Sequence, residues 1–229
     1  MSFAPNIKTL QKRIVLCDKC PRLVEWREEV AQNKVARIMD WNYWGKPVPS
    51  WGDKKAKLLI VALAPAAHGA NRTGRMFTGD QSGKWLYKAL YDFGFSSQSG
   101  SEHLKDGMRL SNCWITAVLH CAPPENKPTT QEIENCNEYL LDELKILKEV
   151  KVILVLGKIA FESAVATMKE LKLLEQKEKF KFAHGAKLQT NNGKIIIASF
   201  HPSQQNTFTG RLTKPMFDRI FIQIDKLLR

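Results

Sequence analysis

Four of the chain's five cysteines form two pairs whose spacing suits metal ligands. Cys17 and Cys20 make a CxxC turn near the start of the chain, and Cys121 and Cys136 follow from its middle. Two thiolates on one turn and two from separate segments can together hold a zinc ion or an iron–sulfur cluster. The spacing does not separate these two groups. The alternative is that all the cysteines are small hydrophobic residues, which is what Cys113, inside an apolar run, is predicted to be.

A second candidate site is the glycine-containing loop at residues 64–80. Its glycines let a ligand approach the backbone closely. Arg72, Arg75 and the N-terminus of the following predicted helix suit a phosphate group. No Gly-Lys-Ser/Thr triplet ends the loop, so it is not a P-loop. The pattern therefore favours phosphate binding over nucleotide hydrolysis.

The same loop carries an aromatic residue and a single carboxylate. Phe77 lies between polar neighbours, where a core aromatic is less expected. It is either a platform on which a nucleic-acid base stacks or a residue packed under the loop. Asp80 precedes the next predicted helix, and its simplest role is to cap the N-terminus of that helix.

A histidine follows the last predicted strand directly. His201 either fixes its own turn through a backbone hydrogen bond or donates a proton or hydrogen bond to a ligand. The glycine-containing stretch after it is similar to a loop that inserts an apolar wedge into a duplex. The residues predicted to contact DNA, besides Arg75, are Asn206, Phe208, Arg211 and Leu212.

Composition and charge limit the class of protein. The chain has 229 residues, 44% of them hydrophobic, which is enough for one well-buried core. Its formal charge of +12 favours a polyanion as partner, with nucleic acid as the first candidate. Alternatively, the excess lysines, such as those of an expected helix at residues 171–181, only form a solvated face. With no apparent secretory signal or membrane-spanning stretch, and with thiols arranged as ligands, we expect a cytoplasmic protein.

Short apolar runs alternate with helical patterns after the first fifty residues. The predicted strands are residues 58–63, 113–118, 152–156 and 195–200. The main predicted helices are residues 82–92, 130–149, 158–174 and 214–228, and Thr129 or Thr130 is expected to cap the second of these without a strict capping box. Apolar runs of this kind suit strands buried on both faces. They predict an α/β fold with a four-stranded parallel sheet, whose ligands bind beyond the carboxyl ends of the strands.

Three features together resemble the uracil-DNA glycosylase superfamily. They are the motif at residues 62–80, ALAPAAHGANRTGRMFTGD, the His201-Pro-Ser sequence and the four-cysteine pattern. They are most similar to the iron–sulfur type-B branch, often called family 5. The resemblance implies a single α/β/α domain over residues 1–229 with a four-stranded parallel sheet. It also implies a structural [4Fe–4S] cluster, held by Cys17, Cys20, Cys121 and Cys136.

The activity implied by the resemblance is hydrolysis of the N-glycosidic bond of uracil in DNA, which leaves an abasic site for base excision repair. Such an enzyme must extract the nucleotide from the base stack. Phe77 matches the family's aromatic residue that stacks on the extruded base. His201 matches the histidine that stabilises negative charge on the leaving base. The expected partners are double-stranded and single-stranded DNA with deaminated bases, bound by a monomer.

The chain also departs from much of the superfamily. Many relatives carry a carboxylate where this chain has Leu63 and Ala64, and a base-reading asparagine where it has Ala117. Asp80 is therefore the candidate that positions or deprotonates the water, with Asn126 as a second polar contact. The apolar pocket predicts that hypoxanthine and xanthine are accepted too. The predicted substrate contacts are Ala64, Pro65, Gly69, Arg72, Phe77 and Ala117.

The main alternative is a non-catalytic nucleic-acid-binding module that zinc stabilises. It accounts for the charge and the cysteines, but not for the combination of the loop at residues 64–80 with His201. An electron carrier is disfavoured because nothing in the sequence implies a partner redox centre.

Overall fold

A computed structural model of the chain describes residues 6–229, so residues 1–5 of the predicted domain lie outside the described part. A mixed sheet of six strands runs through the described residues in the order β1-β3-β2-β4-β6-β5. Its four central strands are parallel, and the two edge strands pair antiparallel to them. The strands are β1 Trp51–Gly52, β2 Leu58–Ala62, β3 Cys113–Ala117, β4 Val152–Leu156, β5 Lys187–Gln189 and β6 Ile195–Ser199.

All four predicted strands are confirmed as the central strands of this sheet, β2, β3, β4 and β6. The predicted number of strands is corrected from four to six. The two additional strands have two and three residues, and none of these residues is fully buried. Neither strand therefore has the apolar run that marks a buried strand in a sequence.

Helices fill the intervals between the strands. Their bounds are α1 Ile7–Val15, α2 Pro21–Gln32, α3 Ala70–Thr73, α4 Gln81–Asp92, α5 Thr130–Ile146, α6 Lys158–Glu170, α7 Gln204–Phe208 and α8 Lys214–Leu228. Thr129 caps α5 in a full capping box with Glu132, which corrects the expectation of a weaker cap. Helix α6 ends at Glu170, and residues 171–181 are irregular, so the helix expected there is wrong.

Two helical layers cover the sheet. Ile60 of β2 belongs to a core shared with Leu86 of α4 and Phe217 of α8. The next residue, Leu59, points to the opposite core, which contains Leu140 of α5 and residues of α6. This alternation along a fully buried strand confirms the predicted α/β/α architecture. Within residues 6–229, no helix is both long and apolar enough to cross a membrane.

A tryptophan-rich segment at residues 41–51, which leads into the edge strand β1, fixes the glycine-containing loop. The guanidinium of Arg72 lies 4.0 Å from the centre of the Trp41 ring. That of Arg75 lies 4.9 Å from the centre of the Trp51 ring. Cation–π contacts of this kind stabilise a loop when the charge is desolvated, so this segment positions the loop that follows β2.

Candidate functional site

A cavity of about 800 Å³ opens at the carboxyl ends of the parallel strands. The loop after β2 contributes Ala64, Phe77 and Asp80 to its lining, the loop after β3 contributes Asn126, and the loop after β6 contributes His201. In a parallel sheet the carboxyl ends of the strands meet at one edge. Residues from three distant parts of the sequence therefore share one cavity, as the sequence predicts.

Phe77 and His201 face each other in this cavity. Their ring centroids are 6.0 Å apart, and the two ring planes differ by only 23°. Phe77 has φ of 58°, a left-handed conformation that is an outlier for a bulky residue. Backbone strain of this kind persists where the surroundings fix it, often at functional sites. The conformation holds the aromatic ring against the cavity.

His201 is a neutral imidazole at the cavity wall. Desolvation lowers its pKa to about 4, so the ring is uncharged near neutral pH. Its backbone carbonyl accepts a hydrogen bond of 2.8 Å from Nδ2 of Asn206, which fixes the turn. Among residues 6–229, neither ring nitrogen has a hydrogen-bond partner. The ring can therefore donate an N–H to a ligand.

Asp80 lies at the cavity and also caps helix α4. Its Oδ1 accepts a hydrogen bond of 2.8 Å from the backbone N–H of Gly83, which is the capping role expected from the sequence. Burial raises the pKa of Asp80, against the opposing effects of two backbone hydrogen bonds and of Arg72. A Cβ added at Gly69 would lie 2.4 Å from Oδ2 of Asp80. Only glycine therefore fits behind the carboxylate.

Asn126 reaches the cavity from a strained turn. It and Glu125 are consecutive non-glycine residues with left-handed φ values of 58° and 52°. Asparagine tolerates this conformation better than most residues. Asn126 lines the same cavity as Asp80, and its amide group can hydrogen-bond to a ligand there.

The structure corrects the predicted roles of two arginines. Arg75 is 5% exposed and forms a 2.6 Å ion pair with Asp106, so it does not reach a DNA phosphate. Burial opposes ionisation of Asp106, but the hydrogen bond and charge of Arg75 outweigh it and lower the pKa of Asp106 to about 2. Arg72 is also buried and donates to the carbonyl oxygens of His68 and Gly79. It therefore fixes the loop instead of binding substrate.

Other predicted contacts also lie away from the cavity surface. Ala117 is buried within the sheet, and Pro65 and Gly69 are buried members of the loop after β2. None of the three lines the cavity, so their predicted direct contacts with substrate are corrected. Leu212 is fully buried in the core between α4 and α8 and is not part of a wedge. Its burial fixes the end of the loop that starts at His201.

The rest of that loop remains available to a ligand. Asn206 and Arg211 line the cavity, and the guanidinium of Arg211 lies 4.8 Å from the centre of the Phe200 ring. Phe208 is 72% exposed at the end of the short helix α7. A large aromatic side chain this exposed beside a cavity is a candidate for insertion into a bound partner.

One wall of the cavity is not among the residues predicted from the sequence. This wall consists of the turn after β4 and two phenylalanines: Gly157, Lys158, Ile159, Phe182 and Phe200. The rule that places ligands beyond the carboxyl ends of strands applies equally to β4. It could have found the first three residues, whereas no local pattern marks Phe182 as a neighbour of the site.

The four candidate ligand cysteines line one separate small cavity. Within residues 6–229, no group of three or more ligand side chains is arranged to hold a single metal ion. Nη1 of Arg27 lies 3.1 Å from Sγ of Cys121, and Nδ2 of Asn135 lies 3.5 Å from Sγ of Cys20. N–H donors beside sulfur stabilise cluster-bound thiolates. The donor set therefore fits an iron–sulfur cluster, and Cys113 is buried in β3 as predicted.

The fold and the cavity together define an α/β protein with a ligand site at the carboxyl edge of its sheet. A family model described as "Uracil DNA glycosylase superfamily" matches residues 49–224. The chain therefore belongs to the uracil-DNA glycosylase superfamily.

Individual relatives are similar over most of the chain. A type-5 uracil-DNA glycosylase of Mycobacterium leprae is 46% identical over 225 residues, with 98% of this chain and 96% of the relative covered. A type-5 uracil-DNA glycosylase of Thermus thermophilus is 44% identical over 214 residues, covering 93% and 94%. A type-4 uracil-DNA glycosylase of Pyrobaculum aerophilum is 30% identical over 164 residues, covering 71% and 66%.

Proposed function

We propose that this chain is a DNA glycosylase that hydrolyses the N-glycosidic bond of uracil in DNA and so initiates base excision repair. The observation that carries the proposal is the pair of Phe77 and His201 rings, which share one cavity with Asp80 and Asn126. The relatives named as uracil-DNA glycosylases support the same reaction. We also propose that the whole chain acts as a single domain, as a monomer, in the cytoplasm.

The reaction begins when the target nucleotide leaves the base stack, because the glycosidic bond is covered in a duplex. The extruded base lies against the ring of Phe77. As the bond between C1′ and the base nitrogen breaks, its electron pair leaves with the base. His201, which is neutral, donates an N–H to the base oxygen on which negative charge grows. A preorganised donor at that position stabilises the transition state more than the bound substrate.

A water molecule then completes the hydrolysis at C1′. One oxygen of Asp80 is engaged by the N–H of Gly83, and the other is the candidate that positions the water and takes its proton. The raised pKa of Asp80 makes its carboxylate a stronger base. Asn126 supplies a second polar contact to the water or the base. The proton is finally passed to the departed base, which leaves as neutral uracil.

Leu63 and Ala64, at the end of β2, give the cavity an apolar wall beside the base. Few side chains there can hydrogen-bond to the edge of uracil, and a site without such partners discriminates weakly between bases. We therefore propose that hypoxanthine and xanthine are also released, from single-stranded as well as double-stranded DNA. Phe208 and Arg211 are proposed to contact the DNA strand around the extruded nucleotide.

The test is an incubation of the protein with a duplex that carries one uracil. We expect release of free uracil and an alkali-labile break at that position, with no release of thymine from the matched undamaged duplex. A duplex with hypoxanthine in the same position is expected to be cleaved within about tenfold of the uracil rate. Apolar pockets without hydrogen-bonding partners for the base discriminate only weakly between substrates. A protein that binds both duplexes and releases no base from either would contradict the proposal.

We further propose that Cys17, Cys20, Cys121 and Cys136 hold a [4Fe–4S] cluster. Their placement around one cavity with N–H donors supports this assignment. When bound, the cluster supplies a structural cross-link between the turn that joins α1 to α2, the loop after β3 and helix α5. The hydrolysis uses residues of the other cavity.

Replacing Cys121 with serine is expected to remove the visible absorption band of the purified protein and to lower its iron content from about four atoms per chain. Cys113→Ala is the matched control, because its sulfur is buried in β3 away from the four-cysteine cavity, and it should keep the band. Colourless wild-type protein that contains about one zinc per chain after anaerobic purification would show that the site holds zinc.

A further inference from the structure

We propose that residues 177–182, called here the Lys-Phe segment, form a second contact with the DNA backbone beside the cavity. The sequence of this segment is Lys-Glu-Lys-Phe-Lys-Phe. The inference rests on the proposed function and extends the DNA-binding surface beyond the loop after β6. The Lys-Phe segment is irregular and lies between α6 and β5.

The segment alternates between exposed lysines and inward-facing phenylalanines. Lys177, Lys179 and Lys181 are exposed, whereas Phe180 and Phe182 are half-buried. The ring of Phe182 packs against those of its two phenylalanine neighbours, with centroid distances of 5.8 and 5.9 Å. These neighbours are Phe161 of α6 and Phe200 at the end of β6. The phenylalanines therefore anchor the segment, and the lysines project to solvent.

Helix α6 anchors the other end of the segment. Nζ of Lys169 donates to the carbonyl oxygens of Gln176 and Glu178, at 3.0 and 2.5 Å. The same ammonium lies 5.7 Å from the centre of the Phe180 ring. The ammonium of Lys169 thus holds the backbone of the segment in place. An irregular segment fixed in this way presents its exposed lysines from a defined position.

The position of the segment relates it to the cavity. Phe182 and Phe200 are part of the cavity wall, as is Lys158. Lys181 is exposed and directly precedes Phe182, so its backbone lies one residue from the cavity wall, close to where the DNA strand around an extruded nucleotide would pass. Among the described residues, Lys177, Lys179 and Lys181 have no salt-bridge partner. Unpaired lysines beside the cavity attract phosphates and release counterions when they bind.

The experiment compares the salt dependence of DNA binding for two double variants of equal charge. Lys179→Gln/Lys181→Gln removes two lysines of the Lys-Phe segment. Lys54→Gln/Lys148→Gln removes two exposed lysines that precede β2 and β4, at the opposite edge of the sheet from the cavity. Binding to a duplex with a non-cleavable abasic-site analogue is followed by fluorescence anisotropy over a series of salt concentrations.

We expect the slope of log Kobs against log salt concentration to become shallower by about 1.8 for the Lys-Phe variant, since each lost phosphate contact removes about 0.9. The control variant should keep the wild-type slope within about 0.5. A wild-type slope for the Lys-Phe variant would overturn the proposal. Equal reductions in both would do the same, because they would indicate a general effect of net charge.

This outcome is separate from that of the glycosylase assay, because binding is measured without cleavage. A shallower slope in a protein that releases no uracil would leave the Lys-Phe segment as a DNA contact and remove the proposed reaction. An unchanged slope in a protein that releases uracil would remove the contact and leave the reaction.

Discussion

Replacing His201 with alanine is expected to lower the single-turnover rate of uracil release by about 10²–10³-fold, the usual cost of losing one donor to a developing anion. The alanine removes the N–H that faces the leaving base but keeps the backbone carbonyl that Asn206 fixes. Binding of an abasic-site duplex should change little, because the donor acts on a charge that exists only in the transition state. The measurement is rapid-quench cleavage with enzyme in excess.

The pH dependence of this loss identifies the charge state of the imidazole. With a pKa of about 4, His201 is already neutral at pH 6 and remains neutral at pH 8. The rate ratio between wild type and His201→Ala should therefore be constant over that range. An imidazolium donor would instead give a ratio that grows as the pH falls. Protonation of Asp80, whose pKa is raised by burial, slows wild type and variant alike towards acid pH.

His103 provides the control for loss of a histidine. It is exposed on the surface turn that holds Asp106, and only its backbone carbonyl contacts Arg75. His103→Ala should therefore retain the wild-type rate. If His201→Ala cleaved uracil within threefold of wild type, the leaving base would have to be stabilised by another group, and Asn126 would be the next candidate.

The sequence was sufficient to predict the centre of this fold, and the reason is physical. Strands buried on both faces need continuous apolar runs. The runs at residues 58–63 and 152–156 have the length of a strand and are too short for a buried helix. The edge strands β1 and β5 lack such a pattern. The expected helix at residues 171–181 failed although its leucine, lysine, glutamate and glutamine residues are good helix formers. Tertiary contacts, such as those of Lys169 with the carbonyl oxygens of Gln176 and Glu178, hold an irregular backbone there instead.

The candidate site was predictable only in part for a related reason. Ala64 and His201 follow buried strands directly, so topology alone assigns them to the cavity. The burial of Arg75 depends on Asp106, which is 31 positions further along the chain. No periodicity in the sequence predicts the ion pair between Arg75 and Asp106. An arginine in a glycine-containing loop therefore suggests a phosphate ligand, although here its partner is a carboxylate of the protein.

The conformation of Phe77 depends on a glycine in the next helix. A Cβ added at Gly83 would lie 1.8 Å from the carbonyl oxygen of Phe77. No side-chain rotation relieves this overlap, because the opposing atom belongs to the backbone. Gly83 also supplies the N–H that binds Asp80, and alanine would keep that N–H. Gly83 is therefore a positioning residue for the aromatic ring. Its substitution with alanine disturbs the position of Phe77 and leaves the hydrogen bond to Asp80 possible.

Gly83→Ala is expected to lower the rate of uracil release by at least about 10²-fold, since a displacement of about 1 Å at a reacting group is enough for such a loss. Gly100→Ala is the matched control, because a Cβ there meets no atom of residues 6–229 within 4 Å, and it should retain the wild-type rate. Both variants are checked for native far-ultraviolet circular dichroism.

A double-mutant cycle keeps this prediction testable if Gly83→Ala also lowers stability. Phe77→Ala removes the ring without introducing the backbone overlap. If Gly83 acts through that ring, adding Gly83→Ala to Phe77→Ala should reduce the rate by less than about threefold further, because residues that act through one another are not additive. Full additivity of the two losses would show that Gly83 supports catalysis by a route that does not involve Phe77.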